Sequence, residues 1–168
     1  MTTQAISSLR LAADAKHHEI PARPTTVAPI VAAVDGSSGN TGAVQAAVEL
    51  AGELHAPIVF VYVRRGPAGF LGSPEYQRRL TTTMARARQV LDSAQQAAAD
   101  ANVSAAAEIL EGSPRRRITE FAVDRGAQLV VVGSRRYRLG RSVSSGVVRD
   151  AGRPVVVVRR LAPIEQAA

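Results

Sequence analysis

The chain has 168 residues, the size of one domain, and its hydrophobic fraction of 46% and charged fraction of 21% are those of a globular protein with one core. Cysteine is absent, which excludes disulfides, thiolate metal sites and a cysteine nucleophile and is compatible with a reducing cytoplasm. The net charge of +7 is almost all arginine, with Lys16 the only lysine; the arginine fork suits phosphate, but without interleaved aromatics or a nucleic-acid motif a nucleic-acid partner is not expected.

Residues 1–26 read as an N-terminal extension: periodicity is weak, Pro21 and Pro24 interrupt it, and Leu9, Leu11 and Ala12 could line one face of a short helix over Ser7–Lys16. No basic start followed by an apolar stretch is present, so no secretory signal is read, and no apolar run approaches the ~20 residues of a membrane span. A cytoplasmic location is the expectation.

The apolar run Pro29–Val34 is too short for a typical helix and stops at the turn-forming Asp35–Asn40, which predicts a strand buried on both faces. Asn40 or Thr41 can cap the helix that follows, whose apolar positions are Val44, Ala47, Val48, Ala51 and Leu54. Ala56-Pro57 ends it, and Ile58–Val63 is a second strand. After a loop containing glycine and proline over Arg64–Ser73, Pro74 opens a long helix with the stripe Leu80, Met84, Ala87, Leu91, Ala94 and Ala98. Val103–Leu110 is the third strand, and Ser113-Pro114 reads as cap and first position of a helix with Ile118, Phe121 and Ala122 inward and Gly126 at its end. Leu129–Val132 is the fourth strand. A basic loop over Gly133–Arg141 precedes a short helix over Ser142–Ala151, with Val143, Val147 and Val148 on one side, and Val155–Val158 is the fifth strand. Residues 27–160 form the domain and 161–168 a C-terminal tail. Strictly alternating strands and helices predict a parallel sheet covered by helices on both faces, with ligands bound outside the carboxyl ends of the strands.

Several chemistries are missing. There is no G-x-x-x-x-G-K-S/T run, no G-x-G-x-x-G after the first strand and no G-x-S-x-G elbow, and His17, His18 and His55 lack metal-ligand spacing. No nucleophile–base pair is visible, so a binding or regulatory module is expected rather than an enzyme. Three candidates remain. Asp35 is either a hydrogen-bond acceptor for a ligand amino group or an Asx-turn residue opening the next loop. The segment from Gly133 to Ser142 offers helix N-terminal N–H groups, a hydroxyl and the charges of Arg135, Arg136, Arg138 and Arg141; it is either an anion site or a solvated basic loop with Ser142 as N-cap. Arg115–Arg117 crowd the positive end of a helix and read as a solvated face, with an acidic partner as the alternative.

Taken together, Ile30–Ser37, Glu111–Pro114, Leu129–Ser134, Ser142–Ser144 and Arg153–Val158 resemble the universal stress protein family, over about residues 27–160. The resemblance implies a Rossmann-like α/β fold with an open five-stranded parallel sheet in the order 3-2-1-4-5, and a homodimer paired through the last strand, Val155, Val156, Val157 and Val158. It also implies binding of ATP or another adenine nucleotide. In many members the strand-one Asp and a residue near the end of strand two hold adenine, and a loop of glycine, two residues, glycine, nine residues, glycine, then serine or threonine holds the phosphates. Asp35 and Val63 match the adenine pair, Gly133 the first glycine, and Ser142 and Val143 the residues after the last. Arg136 stands at the second glycine and Arg141 at the third, with Gly140 one residue earlier, and the loop is several residues short of the pattern. Each lost glycine removes room for backbone to approach phosphate. The family has a branch without the glycine pattern that does not bind ATP, so a ligand-free protein acting through its dimer and a basic face is the alternative.

Overall fold

The computed structural model of the chain describes residues 27–37, 40–66, 73–134 and 142–159. Strands and helices alternate: β1 (Ile30–Val34), α1 (Asn40–Glu53), β2 (Ile58–Arg64), α2 (Pro74–Asp100), β3 (Ala105–Glu111), α3 (Pro114–Asp124), β4 (Leu129–Ser134), α4 (Val143–Asp150) and β5 (Val155–Arg159). The strands form one five-stranded sheet in the order β3-β2-β1-β4-β5, every neighbouring pair parallel. The expected order 3-2-1-4-5 and parallel arrangement are therefore observed. The extension, the tail and the segment carrying Arg136, Gly140 and Arg141 lie outside the described residues.

Successive side chains of a strand point to opposite faces, which divides the core in two. Ile30, Ala32 and Val34 of β1, with Ile58 and Phe60 of β2 and Val131 of β4, pack under α1 and α2. Val31, Val59, Val61, Val130 and Val132 pack on the other face, against Ile118, Phe121 and Ala122 of α3 and Val147 of α4. Phe60 is fully buried, a contribution of about 3 kcal/mol at most for one side chain. Strands covered on both faces need no polar alternation, which is why they appear in the sequence as short continuous apolar runs.

Three helices end in the same way. His55, Asn102 and Gly126 adopt positive φ of 49°, 57° and 58°. Each is followed by a residue whose N–H reaches back five positions: Ala56 to Ala51 O (3.0 Å), Val103 to Ala98 O (2.8 Å) and Ala127 to Ala122 O (2.8 Å). This is the Schellman closure, which satisfies carbonyls a helix end leaves without partners. It explains two departures from expectation. Leu54 sits where the chain has left α1 and is 45% exposed, not part of the buried stripe. Val103 closes α2, so the third strand begins at Ala105.

Two helix faces also differ from the pattern read in the sequence. In α2 the buried positions are Ala87, Leu91, Ala94 and Ala98, whereas Leu80 and Met84 are half-buried. In α4 the buried residues are Ser144, Gly146 and Val147, while Val143 and Val148 are 42% and 53% exposed. Small residues let α4 lie close to α3: a Cβ at Gly146 would stand 2.4 Å from Cδ of Arg115, which crosses that glycine to pair with Asp150. Arg115 and Arg116 are exposed, as a solvated face requires, but all three arginines have carboxylate partners within the chain. Arg115 bridges α3 to α4, and Arg116 and Arg117 both pair with Glu120 one turn later, at 3.3 and 2.9 Å.

Candidate functional site

The chain crosses the sheet in one direction from β1 through β2 to β3, then returns to place β4 on the other side of β1. At that reversal the loops after β1 and β4 leave in opposite directions and open a crevice at their carboxyl ends. A cleft of about 910 Å³ lies there, within the size range of small-molecule sites.

Its centre is the end of β1. Asp35 accepts a hydrogen bond at Oδ1 from the Ser37 N–H at 2.9 Å, an Asx turn, and its own N–H donates to Asn40 Oδ1 at 3.2 Å. Asn40, the first residue of α1, turns its side chain back to tie the helix start to the strand end. Asp35 is exposed and lines the cleft together with Ser37 and Asn40. Of the two roles read from sequence for Asp35, the Asx turn is observed, and the same side chain lines the cleft. An ionised carboxylate offers about four acceptor sites, so the turn does not preclude a second donor.

The floor and one wall are apolar. The register Val34↔Tyr62 sets Val63 level with Asp35 on the neighbouring strand, and Val63 lines the cleft with Val61. Val132 and Gly133 of β4 flank Asp35 on its other side, and Pro114 and Ile118 of α3 also line the cleft. The far wall is the start of α4. Ser142 is its N-cap, with extended backbone (φ −82°, ψ 154°) and Oγ accepting the Ser145 N–H at 3.1 Å. The same Oγ lies 2.7 Å from Ser145 Oγ and 3.0 Å from Ser144 Oγ, so three hydroxyls cluster at a helix N-terminus, where the backbone dipole favours negative charge. Ser142, Val143 and Ser144 all line the cleft.

Of the residues singled out from sequence, Asp35, Val63, Gly133, Ser142 and Val143 share this cleft. Arg136, Gly140 and Arg141 lie outside the described residues. Two basic lining residues had not been singled out: Arg65, directly after β2, and Arg86 of α2. For Arg65 a signal existed, since it directly follows an apolar strand at the carboxyl end, where ligands of open sheets bind. For Arg86 none did: it is one of several arginines on a long polar helix, and only the packing of α2 brings it to the rim. Among the described residues no histidine lines the cleft, no three His, Asp or Glu side chains could hold a metal ion, and no helix is long and apolar enough to cross a membrane.

An open parallel sheet in this order, with a crevice at its reversal and an acidic turn facing a helix N-terminus across it, defines a Rossmann-like α/β domain. The family model described as universal stress protein family matches residues 26–159, and the chain belongs to that family. A universal stress protein of Methanocaldococcus jannaschii is 31% identical over 140 residues, covering 78% of this chain and 81% of the relative. The crystal structure of a universal stress family protein from Burkholderia pseudomallei is 30% identical, with a TM-score of 0.66 over 78% of this chain and 95% of the other. The universal stress protein of Archaeoglobus fulgidus in complex with dAMP is 25% identical, with a TM-score of 0.61 over 77% of this chain and 96% of the other.

Proposed function

We propose that the protein is a small regulatory module of the universal stress protein family, without catalytic machinery of its own, that takes an adenine nucleotide in the cleft between Asp35 and the Gly133–Ser142 segment. The observation that carries this reading is the placement of Asp35, Val63, Gly133 and Ser142 around one crevice, an acceptor and an apolar surface facing a helix N-terminus. The dAMP held by the Archaeoglobus fulgidus relative supports it. Asp35 accepts from the adenine amino group, Val61 and Val63 contact the base, and the start of α4 faces the phosphates. Arg136 and Arg141 stand where the family's loop has glycine, so ATP is held partly by side-chain charge, more weakly than by an intact glycine loop and with a marked salt dependence. Residues 27–160 act as the domain, working as a homodimer in the cytoplasm, with residues 1–26 and 161–168 as flanking segments.

The test is calorimetry with AMP and with inosine monophosphate, whose base has a carbonyl in place of the amino group. Asp35→Asn keeps an acceptor for the Ser37 N–H but replaces one carboxylate oxygen by a donor. AMP affinity is expected to fall about tenfold or more, the scale of one hydrogen bond to a charged group, while the inosine nucleotide gains relative to it. Tight AMP binding indifferent to this change would place the site elsewhere. No heat with ATP, ADP or AMP at millimolar ligand would leave the ligand-free dimer with a basic face as the function, a reading favoured by the loss of the glycine pattern.

A further inference from the structure

Gly36, the residue after Asp35, has φ +67°, and a Cβ there would lie 2.7 Å from Val90 Cγ2 and 3.7 and 3.8 Å from Nε and Nη2 of Arg86. The bare glycine lets α2 close against this turn, and the guanidinium of Arg86 rests beside it. Ala87, the next residue, is the first fully buried position of α2, so Arg86 stands where the helix meets the sheet rim. On β2, Val63 is level with Asp35, and Arg65 lies two residues further, about 7 Å of extended chain above the floor. Both arginines line the cleft from the β2–α2 side, whereas α4 lines it from the β4 side.

Their charges are not used within the described structure. Arg64, Arg115, Arg117 and Arg125 are each paired with a carboxylate, but Arg65 and Arg86 form no ion pair with a described residue. Asp35 is the one carboxylate among the described lining residues, so two guanidinium groups outnumber it there. Strands β2 and β4 lie on opposite sides of β1, about 10 Å apart at two strand spacings. The cleft thus has two flanks that attract anions, the Arg65–Arg86 pair and the start of α4, with Asp35 and the apolar floor between them.

We propose that Arg65 and Arg86 form a second anion subsite, so that the preferred ligand is an adenosine nucleotide phosphorylated at two separate positions of the ribose rather than at the 5′ position alone. This rests on the adenine-nucleotide reading above and assigns the β2–α2 flank of the same cleft. The probe is adenosine 3′,5′-bisphosphate, compared by calorimetry with AMP at one fixed salt concentration. The bisphosphate binds the natural protein about tenfold more tightly than AMP, the scale of one charge-assisted hydrogen bond. In the double variant Arg65→Ala/Arg86→Ala that ratio falls towards one, the loss falling on the bisphosphate far more than on AMP. The double variant Arg78→Ala/Arg88→Ala removes the same charge from residues that do not line the cleft, and it keeps the ratio. A natural protein that binds AMP but does not prefer the bisphosphate overturns this subsite and leaves the adenine reading standing. An equal loss of preference in the two double variants also overturns it, by reducing the effect to net charge. Absence of binding by either nucleotide overturns both.

Discussion

Gly146 shows how one missing side chain can hold two helices in place. It lies in the middle of α4, where glycine costs about 1 kcal/mol relative to alanine, yet Arg115 occupies the space a Cβ would take. Alanine there would displace the Arg115 side chain and strain its pairing with Asp150, both partly exposed, so the ion pair itself contributes little. The helix-propensity gain and the steric loss oppose one another, and a double-mutant cycle separates them. Gly146→Ala is expected to leave stability unchanged or lower it in the natural protein, and to raise it by about 1 kcal/mol in an Arg115→Ala background, read from urea midpoints. Equal effects in the two backgrounds would mean that Arg115 does not constrain this helix. Because α4 begins at the cleft, the same contact helps fix where Ser142 lines it.

Three helices start with a serine just before the first turn, and the serines are not equivalent. Ser73 Oγ accepts from the Tyr76 N–H at 3.2 Å and Ser142 Oγ from the Ser145 N–H at 3.1 Å, whereas Ser113, in the cap position of α3, makes no side-chain capping bond. Ser113-Pro114 and Ser73-Pro74 are the same pair of residue types, but the rotamer that completes a cap depends on the surroundings. Replacing Ser73 or Ser142 by alanine is therefore expected to cost about 1 kcal/mol, and replacing Ser113 less than about 0.5 kcal/mol, in chemical denaturation. Equal costs at all three positions would contradict these hydrogen bonds. At the other helix ends, Gly126 was legible as a terminator because glycine adopts positive φ without strain. His55 and Asn102 take the same conformation without announcing it, since neither residue type is confined to it.

The two sheet edges differ in what they offer another chain. On β3, Glu108 pairs with Arg125 and Glu111 with Arg64, so charged side chains guard that edge. On β5, four consecutive valines precede Arg159, Val157 is 36% exposed, and the strand pairs on one side only, with β4. An apolar edge strand with open hydrogen-bonding groups favours pairing with a second copy. The expected state is a homodimer joined through β5, and Val157→Glu is expected to shift it to monomer without unfolding it. Light scattering at micromolar concentration, beside circular dichroism of both proteins, checks this; a natural protein that is monomeric throughout would remove β5 as the interface.

The short apolar runs, the helical stripes and their strict alternation determined the fold class, because burial on both faces of a parallel sheet writes itself directly into local composition, whereas the strand order followed only from the resemblance to the universal stress protein family. Asp35 and Ser142 could be marked as candidates for a related reason: a strand end and a helix start are local features, and the topology of an open sheet brings such ends together. Tertiary structure alone decided which arginines are spent on carboxylates and which face the cleft. Arg115 and Asp150 are 35 residues apart, Arg64 and Glu111 are 47 apart, and Arg86 reaches the rim only because Gly36 lets α2 approach. Long charged side chains have no periodicity of their own, and their partners are set by how distant elements pack.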